Sequence, residues 1–124
     1  MGPRHRGSPV PLISVRTSCP VPADPGPLLQ QLSARLAELL GKPERYVMTL
    51  LETGVPMTFA GDPAPACYVE IKSIGALDGD RPRQISAALC ELLVAQLGVG
   101  ADRIYIGFED VAARLWGWDG GTFG

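Results

Sequence analysis

Leu40-Gly41 followed by Glu44-Arg45-Tyr46-Val47, and Leu97-Gly98 followed by Asp102-Arg103-Ile104-Tyr105, are two copies of one junction. In each, an apolar helical run stops at a glycine able to take positive φ, and a β-branched or aromatic run begins a few residues later. Upstream of the first copy, Leu28, Leu29, Leu32, Leu36, Leu39 and Leu40 share one helical face, with Asp24 as the expected N-cap and Pro25 at the first helical position. Upstream of the second, Ile85, Leu89, Leu92, Leu93 and Leu97 form a similar face, with Asp80 as the cap and Pro82 in the first turn. Strands flank both helices: Leu12–Thr17 and Tyr46–Thr53 around the first, Tyr68–Ser73 and Ile104–Glu109 around the second. Met57–Ala60 is a candidate edge segment. The two halves repeat at a period of about 57 residues, so the chain reads as a duplicated βαβ unit.

A helical crossover makes the strands within each unit parallel. The fold class expected is α/β (α+β), with two pseudo-repeated βαβ units forming a four-stranded mixed sheet and both helices on one face. The other face would be bare, and its residues read as too apolar for water, so the unit should form an oligomer. The tail from Leu115 to Phe123 is aromatic and glycine-rich, too short for a core of its own, and should dock on the sheet or on a neighbour.

Residues 1–10 have no periodicity and are rich in Pro, Gly and Arg, as expected of a disordered lead-in before a domain spanning 11–124. With 124 residues, one domain is expected. Hydrophobic residues make up 46%, enough for a core, and 11 basic groups face 13 acidic ones. A formal charge of −2 argues against a nucleic-acid partner. No apolar run approaches the roughly 18–20 residues of a membrane span, and no secretory signal opens the chain.

Cys19, Cys67 and Cys90 are scattered and odd in number, which reads as reduced thiols of a cytoplasmic protein. The one histidine, His5, lies outside the domain. Zinc is therefore not expected, and histidine-based nucleophilic catalysis has no histidine to use. Proton-transfer chemistry would need another base.

Pro11-Leu12-Ile13, Gly41-Lys42-Pro43, Ser73-Ile74-Gly75, Asp102-Arg103-Ile104-Tyr105-Ile106 and Gly117-Trp118 with Thr122-Phe123 occur in that order. On these segments residues 11–124 resemble the macrophage migration inhibitory factor family, which includes D-dopachrome tautomerase, and above all its bacterial, cyanobacterial-type members. The resemblance implies a homotrimer with helices outside and sheets lining a central channel. It also implies keto–enol tautomerisation of small aromatic 2-oxo acids such as phenylpyruvate, without metal or organic cofactor.

By that resemblance Pro11 is the catalytic base, as an N-terminal secondary amine, and Lys42 binds the substrate carboxylate. Ser73 and Ile74 present a backbone donor, and Tyr105 reaches the site from the adjacent subunit. Tyr46, Trp116, Trp118 and Phe123 form an aromatic wall. Gly107 stands where mammalian members carry a substrate-binding asparagine, so substrate orientation should differ there. The positions of the family's CxxC are Ala66 and Val69 here, so thiol–disulfide chemistry is not expected.

Internal Pro11 is a tertiary amide without useful basicity. Activity therefore requires Pro11 to be exposed. Translation starting at codon 10, where a GUG valine codon can serve as a start, followed by methionine removal, would give a 114-residue chain of formal charge −4. A chain that keeps residues 1–10 would be a silent trimer. The alternative reading is a cytokine-like interaction protein with little or no catalysis, for which non-classical secretion is conceivable.

Overall fold

The computed structural model describes residues 10–124. The expectation for 1–9 lies outside the described residues, whereas Val10 is buried and leads directly into the first strand. The order is β1 (Pro11–Thr17), α1 (Gly26–Leu40), β2 (Met48–Glu52), β3 (Cys67–Ser73), α2 (Arg81–Leu97), β4 (Ile104–Asp110), then a small hairpin of β5 (Gly117–Trp118) and β6 (Gly121–Thr122). The main sheet runs β2-β1-β3-β4. The pairs β1–β2 and β3–β4 are parallel, and the central pair β1–β3 is antiparallel. The two βαβ units thus meet back to back at their first strands.

Alternation along the strands fixes the faces. Ile13, Val15, Val69 and Ile71 are fully buried and pack with Leu32 and Leu36 of α1 and Ile85, Leu89 and Leu93 of α2. Gly41 and Gly98 end the helices at φ 66° and 71°, a left-handed conformation that L side chains adopt at a cost.

Several boundaries differ from the sequence reading. Pro25, not Asp24, is the N-cap of α1, because its backbone is already near-helical at φ −77°, ψ −12°. Asp24 instead accepts the Gly26 N–H at 3.0 Å. Tyr46 lies in a 3-10 turn over Glu44–Tyr46, where Val47 N–H bonds to Glu44 O at 2.9 Å, so β2 starts only at Met48. Met57–Ala60 is not a strand. Phe59 and Asp62 exchange two backbone bonds of 3.0 Å across a tight turn, with Ala60 and Gly61 both at positive φ.

The sheet face away from the helices is more polar than the sequence reading expected. Its cross-strand rows are Met48-Leu12-Lys72-Glu109, Leu50-Ser14-Glu70-Gly107 and Glu52-Arg16-Tyr68-Tyr105. Met48, Leu50 and Tyr105 are exposed, but Arg16 pairs with Glu52 at 2.9 Å and Lys72 with Glu109 at 3.9 Å. The hydropathy of the strands is concentrated on the helix side. The open side is a mixed surface with charged cross-strand pairs.

Arg103 fastens the 59–65 loop. Its guanidinium donates to the carbonyls of Pro65 (2.8 Å), Asp62 (2.9 Å), Ala64 (2.8 Å) and Phe59 (3.5 Å), and lies 5.4 Å from the Phe59 ring centre. Arg103→Ala is expected to cost roughly 2–3 kcal/mol, as loss of charge-assisted bonds to a loop with no other anchor of that kind. Urea denaturation checks it, and an unchanged midpoint would contradict the role.

Burial pushes the Cys67 thiol up to about 12, with the neighbouring Cys19 acting in the same direction. Cys67 is thus a core thiol of low reactivity. The ordinary thiol value is 9.0. The native state therefore holds a proton that the unfolded state releases, and Cys67 favours folding below pH 9 and ceases to do so as pH climbs toward 12. Melting temperatures measured from pH 8 upward should fall, and Cys67→Ala should flatten that fall. An equal slope in both proteins would contradict the assignment.

Candidate active site

Antiparallel pairing of β1 with β3 sets Pro11 opposite Ser73 at one end of the sheet. Pro11 and Ser73 are both buried, on the helix side, and Ser73 Oγ has no hydrogen-bond partner among the described residues. A buried hydroxyl left unpaired costs about 1–3 kcal/mol, which makes its neighbours significant. In the next step of the chain, Ile74 O accepts a 2.8 Å bond from Lys42 Nζ. Lys42 follows the left-handed glycine that ends α1, so the helix terminus itself turns the lysine inward, and only 8% of it is exposed.

Beside these residues lies a cavity of about 600 Å³ lined by Lys42, Ile74, Gly75, Arg81, Asp110 and Ala113, among others. Burial pulls the Lys42 ammonium below the usual lysine range, and the charge of Asp110 opposes that shift. Asp110 is held in place by Gly75 N–H, which donates to its Oδ1 at 2.9 Å. Arg81 donates to Leu40 O at 3.0 Å and adds a second cation to the wall. The sequence reading missed Asp110 and Arg81. Asp110 stands at the end of the last long strand, in register with Ser73, and that register is the signal that could have found it.

The aromatic residues gather at the same end of the sheet. Trp118 meets Tyr46 edge-on at 5.8 Å and stacks on Phe123 at 5.7 Å. The β5–β6 hairpin positions Trp118, turning at Asp119-Gly120 with both at positive φ. Trp116 contributes its carbonyl to Phe123 N–H at 3.2 Å and is half-buried, but its ring is not in that cluster.

Tyr105 lies elsewhere. It pairs with Tyr68 near the start of β4, five register positions from Asp110, at the opposite end of the sheet from Pro11. It is 65% exposed and packs on Phe59 at 4.8 Å. Within one chain Tyr105 does not meet Pro11 or Lys42.

Among the described residues no group of three His, Cys, Asp or Glu side chains could hold a metal ion, and no helix is long and apolar enough to cross a membrane.

A duplicated βαβ unit with both helices on one side of a mixed sheet, and a lysine-lined cavity at the sheet's end, defines the tautomerase-superfamily fold. The family model for macrophage migration inhibitory factor (MIF) matches residues 10–124. The macrophage migration inhibitory factor of Meriones unguiculatus is 37% identical over 114 residues, covering 92% of this chain and 99% of that protein. A crystal structure of a macrophage migration inhibitory factor homologue from Prochlorococcus marinus superposes with a TM-score of 0.90 at 63% identity, covering 91% and 99% of the two chains. The corresponding protein from Trichinella spiralis gives 0.83 at 32% identity, covering 90% and 99%. This chain belongs to the macrophage migration inhibitory factor family.

Proposed function

We propose that the protein is a keto–enol tautomerase of phenylpyruvate-like aromatic 2-oxo acids, working as a homotrimer with Pro11 as its N-terminal base. The observation that carries this reading is the convergence at one sheet end of Pro11, the inward-turned Lys42 and the Ser73–Ile74 strand end. Tautomerisation needs a group that moves a proton between carbon and oxygen, with stabilisation of the developing enolate. A free proline amine supplies the first. Lys42 supplies a compact positive charge for the carboxylate, and Ile74 N–H a backbone donor. The Tyr46–Trp118–Phe123 cluster, with Trp116 beside it, offers apolar surface for an aryl ring. No metal or organic cofactor enters this mechanism.

The base requires a chain that begins at Pro11. Two observations support that form. The family model matches residues 10–124, which leaves residues 1–9 outside the family's span. Ser73 Oγ, buried without a partner among the described residues, faces Pro11 across the strand pair, and such pairs hold their Cβ atoms about 4.5–5.5 Å apart. A freed amine is a hydrogen-bonding group in place of the proline amide, which has no N–H.

The trimer is needed for Tyr105. In one chain it stands at the far end of the sheet, and two free sheet edges, β2 and β4, are available to neighbours. A neighbouring subunit that brings its Tyr105 to the Pro11 end completes the site. Three free thiols suit a reducing cytoplasm.

The direct test is intact mass and N-terminal sequencing of protein made from the native gene, with a phenylpyruvate ketonisation assay on the same sample. A chain starting at Pro11 with catalysis supports the reading. Such a chain without catalysis ends it, and a receptor-type binding role takes its place. Pro11→Gly separates the two, since it replaces the secondary amine by a primary one and should slow proton transfer while sparing binding by the outer surface.

A further inference from the structure

Gly107 sits in the middle of β4 with no conformational need for glycine, since it is not among the positive-φ residues. A glycine in an ordinary strand weakens it, and often marks a place where another group approaches closely. The approaching group is visible. A Cβ built on Gly107 would lie 3.7 Å from the hydroxyl oxygen of Tyr68. That contact is ordinary for a single carbon, but anything longer would run into the phenol.

Tyr68 pairs with Tyr105 in register, and Glu70 pairs with Gly107 one row on. All four are on the open face of the sheet. The Tyr68 hydroxyl reaches across from its own row and donates to Glu70 Oε2 at 3.2 Å. With its proton held by Glu70, the phenol oxygen presents lone pairs over the surface that Gly107 leaves bare. Burial and then Glu70 hold the Tyr68 phenol above its usual range.

We infer that Tyr68 is a substrate-contacting, specificity-determining residue that serves the neighbouring subunit's site together with Tyr105, accepting the enol O–H of the substrate in the space left by Gly107. This rests on the tautomerase reading and on the delivery of Tyr105 across the subunit interface. The polar group that residue 107 lacks is replaced from the adjacent strand. The pairing selects the enol, which has an O–H to donate, over the keto form, which has none.

The experiment uses chains beginning at Pro11 and follows ketonisation of phenylpyruvate enol. Tyr68→Phe removes the oxygen and keeps the ring. It should raise KM about 3–10-fold, the range for one neutral hydrogen bond, and leave kcat within about twofold. Gly107→Val presses its methyl groups against the Tyr68 hydroxyl and displaces it from this surface, suits a strand, and should raise KM by a similar factor. The double variant should be no worse than either single one, because both remove the same contact. Gly107→Asn in the Tyr68→Phe background should recover KM by restoring a polar group.

Wild-type KM in either single variant overturns the inference, as does a multiplicative double variant. Light scattering on each variant separates loss of assembly from loss of the contact. If Tyr68→Phe does not assemble, Gly107→Val decides alone. An active Pro11 chain with an unaffected Tyr68→Phe sinks only this inference. An inactive Pro11 chain sinks the tautomerase reading and this one with it.

Discussion

A chain beginning at Pro11 is expected to ketonise phenylpyruvate enol about 10²–10⁴-fold faster than the same chain carrying residues 1–10, the range set by a positioned general base. The amide form cannot take up a proton at nitrogen, whereas the amine form can. Both forms share the cavity, Lys42 and the aromatic cluster, so KM should change less than kcat. An ordinary α-amino group titrates near about 7.7–8.0, and a neighbouring cation together with partial burial lowers that value. The rate should therefore rise with pH through the amine titration and then level off. Equal rates in the two forms would show that Pro11 is not the base.

The second large effect is expected at Lys42. Lys42→Ala should lower kcat/KM for phenylpyruvate about 10–100-fold, corresponding to one charge-assisted hydrogen bond to the carboxylate. It should also displace the acid limb of the pH–rate profile to higher pH, since removing a cation near the amine removes an influence that favours its neutral form. Lys42→Arg keeps the charge but should recover little. The ammonium is seated 2.8 Å from Ile74 O in a site that is almost closed, and a planar guanidinium is a larger group with a different donor geometry. An unchanged kcat/KM in Lys42→Ala, or an unmoved acid limb, would remove Lys42 from the mechanism. Ile74 O opens onto the cavity, so water can take the lysine's place and folding should survive the substitution.

The duplicated architecture was legible in the chain because its signals are local. Leu28, Leu32, Leu36 and Leu40 repeat at helical spacing and are all buried. Gly41 and Gly98 stop the helices in the conformation that favours glycine. What was not legible depends on registers and turns between segments. Tyr46 has the composition of a strand residue, yet the turn after Pro43 takes its backbone, and β2 starts two residues later. The Asp119-Gly120 pair carried a hairpin signal that a reading of the tail as aromatic and glycine-rich passed over. The polarity of the open sheet face emerges only once the strands are aligned, when Arg16 meets Glu52 and Lys72 meets Glu109.

The same distinction applies to the site. Pro11, Lys42 and Ser73–Ile74 were singled out through family resemblance, and they do come together at one end of the sheet. Asp110 and Arg81 were not, because neither stands in a motif. Asp110 is 35 residues from the backbone N–H it accepts, and Arg81 is 41 from its carbonyl partner. The distance of Tyr105 from Pro11 along the sheet could be read only from strand pairing.

The back-to-back repeat also allows one half of the molecule to be compared with the other. Where the first half runs Leu40-Gly41-Lys42, the second runs Leu97-Gly98-Val99. Val99 is 1% exposed and belongs to the core, and Lys42 at the matching place is 8% exposed. One backbone shape thus accepts an isopropyl group in one half and an ammonium in the other. The twin position therefore serves packing alone in the second half, whereas in the first it carries a nearly closed-off charge tied to Ile74 O.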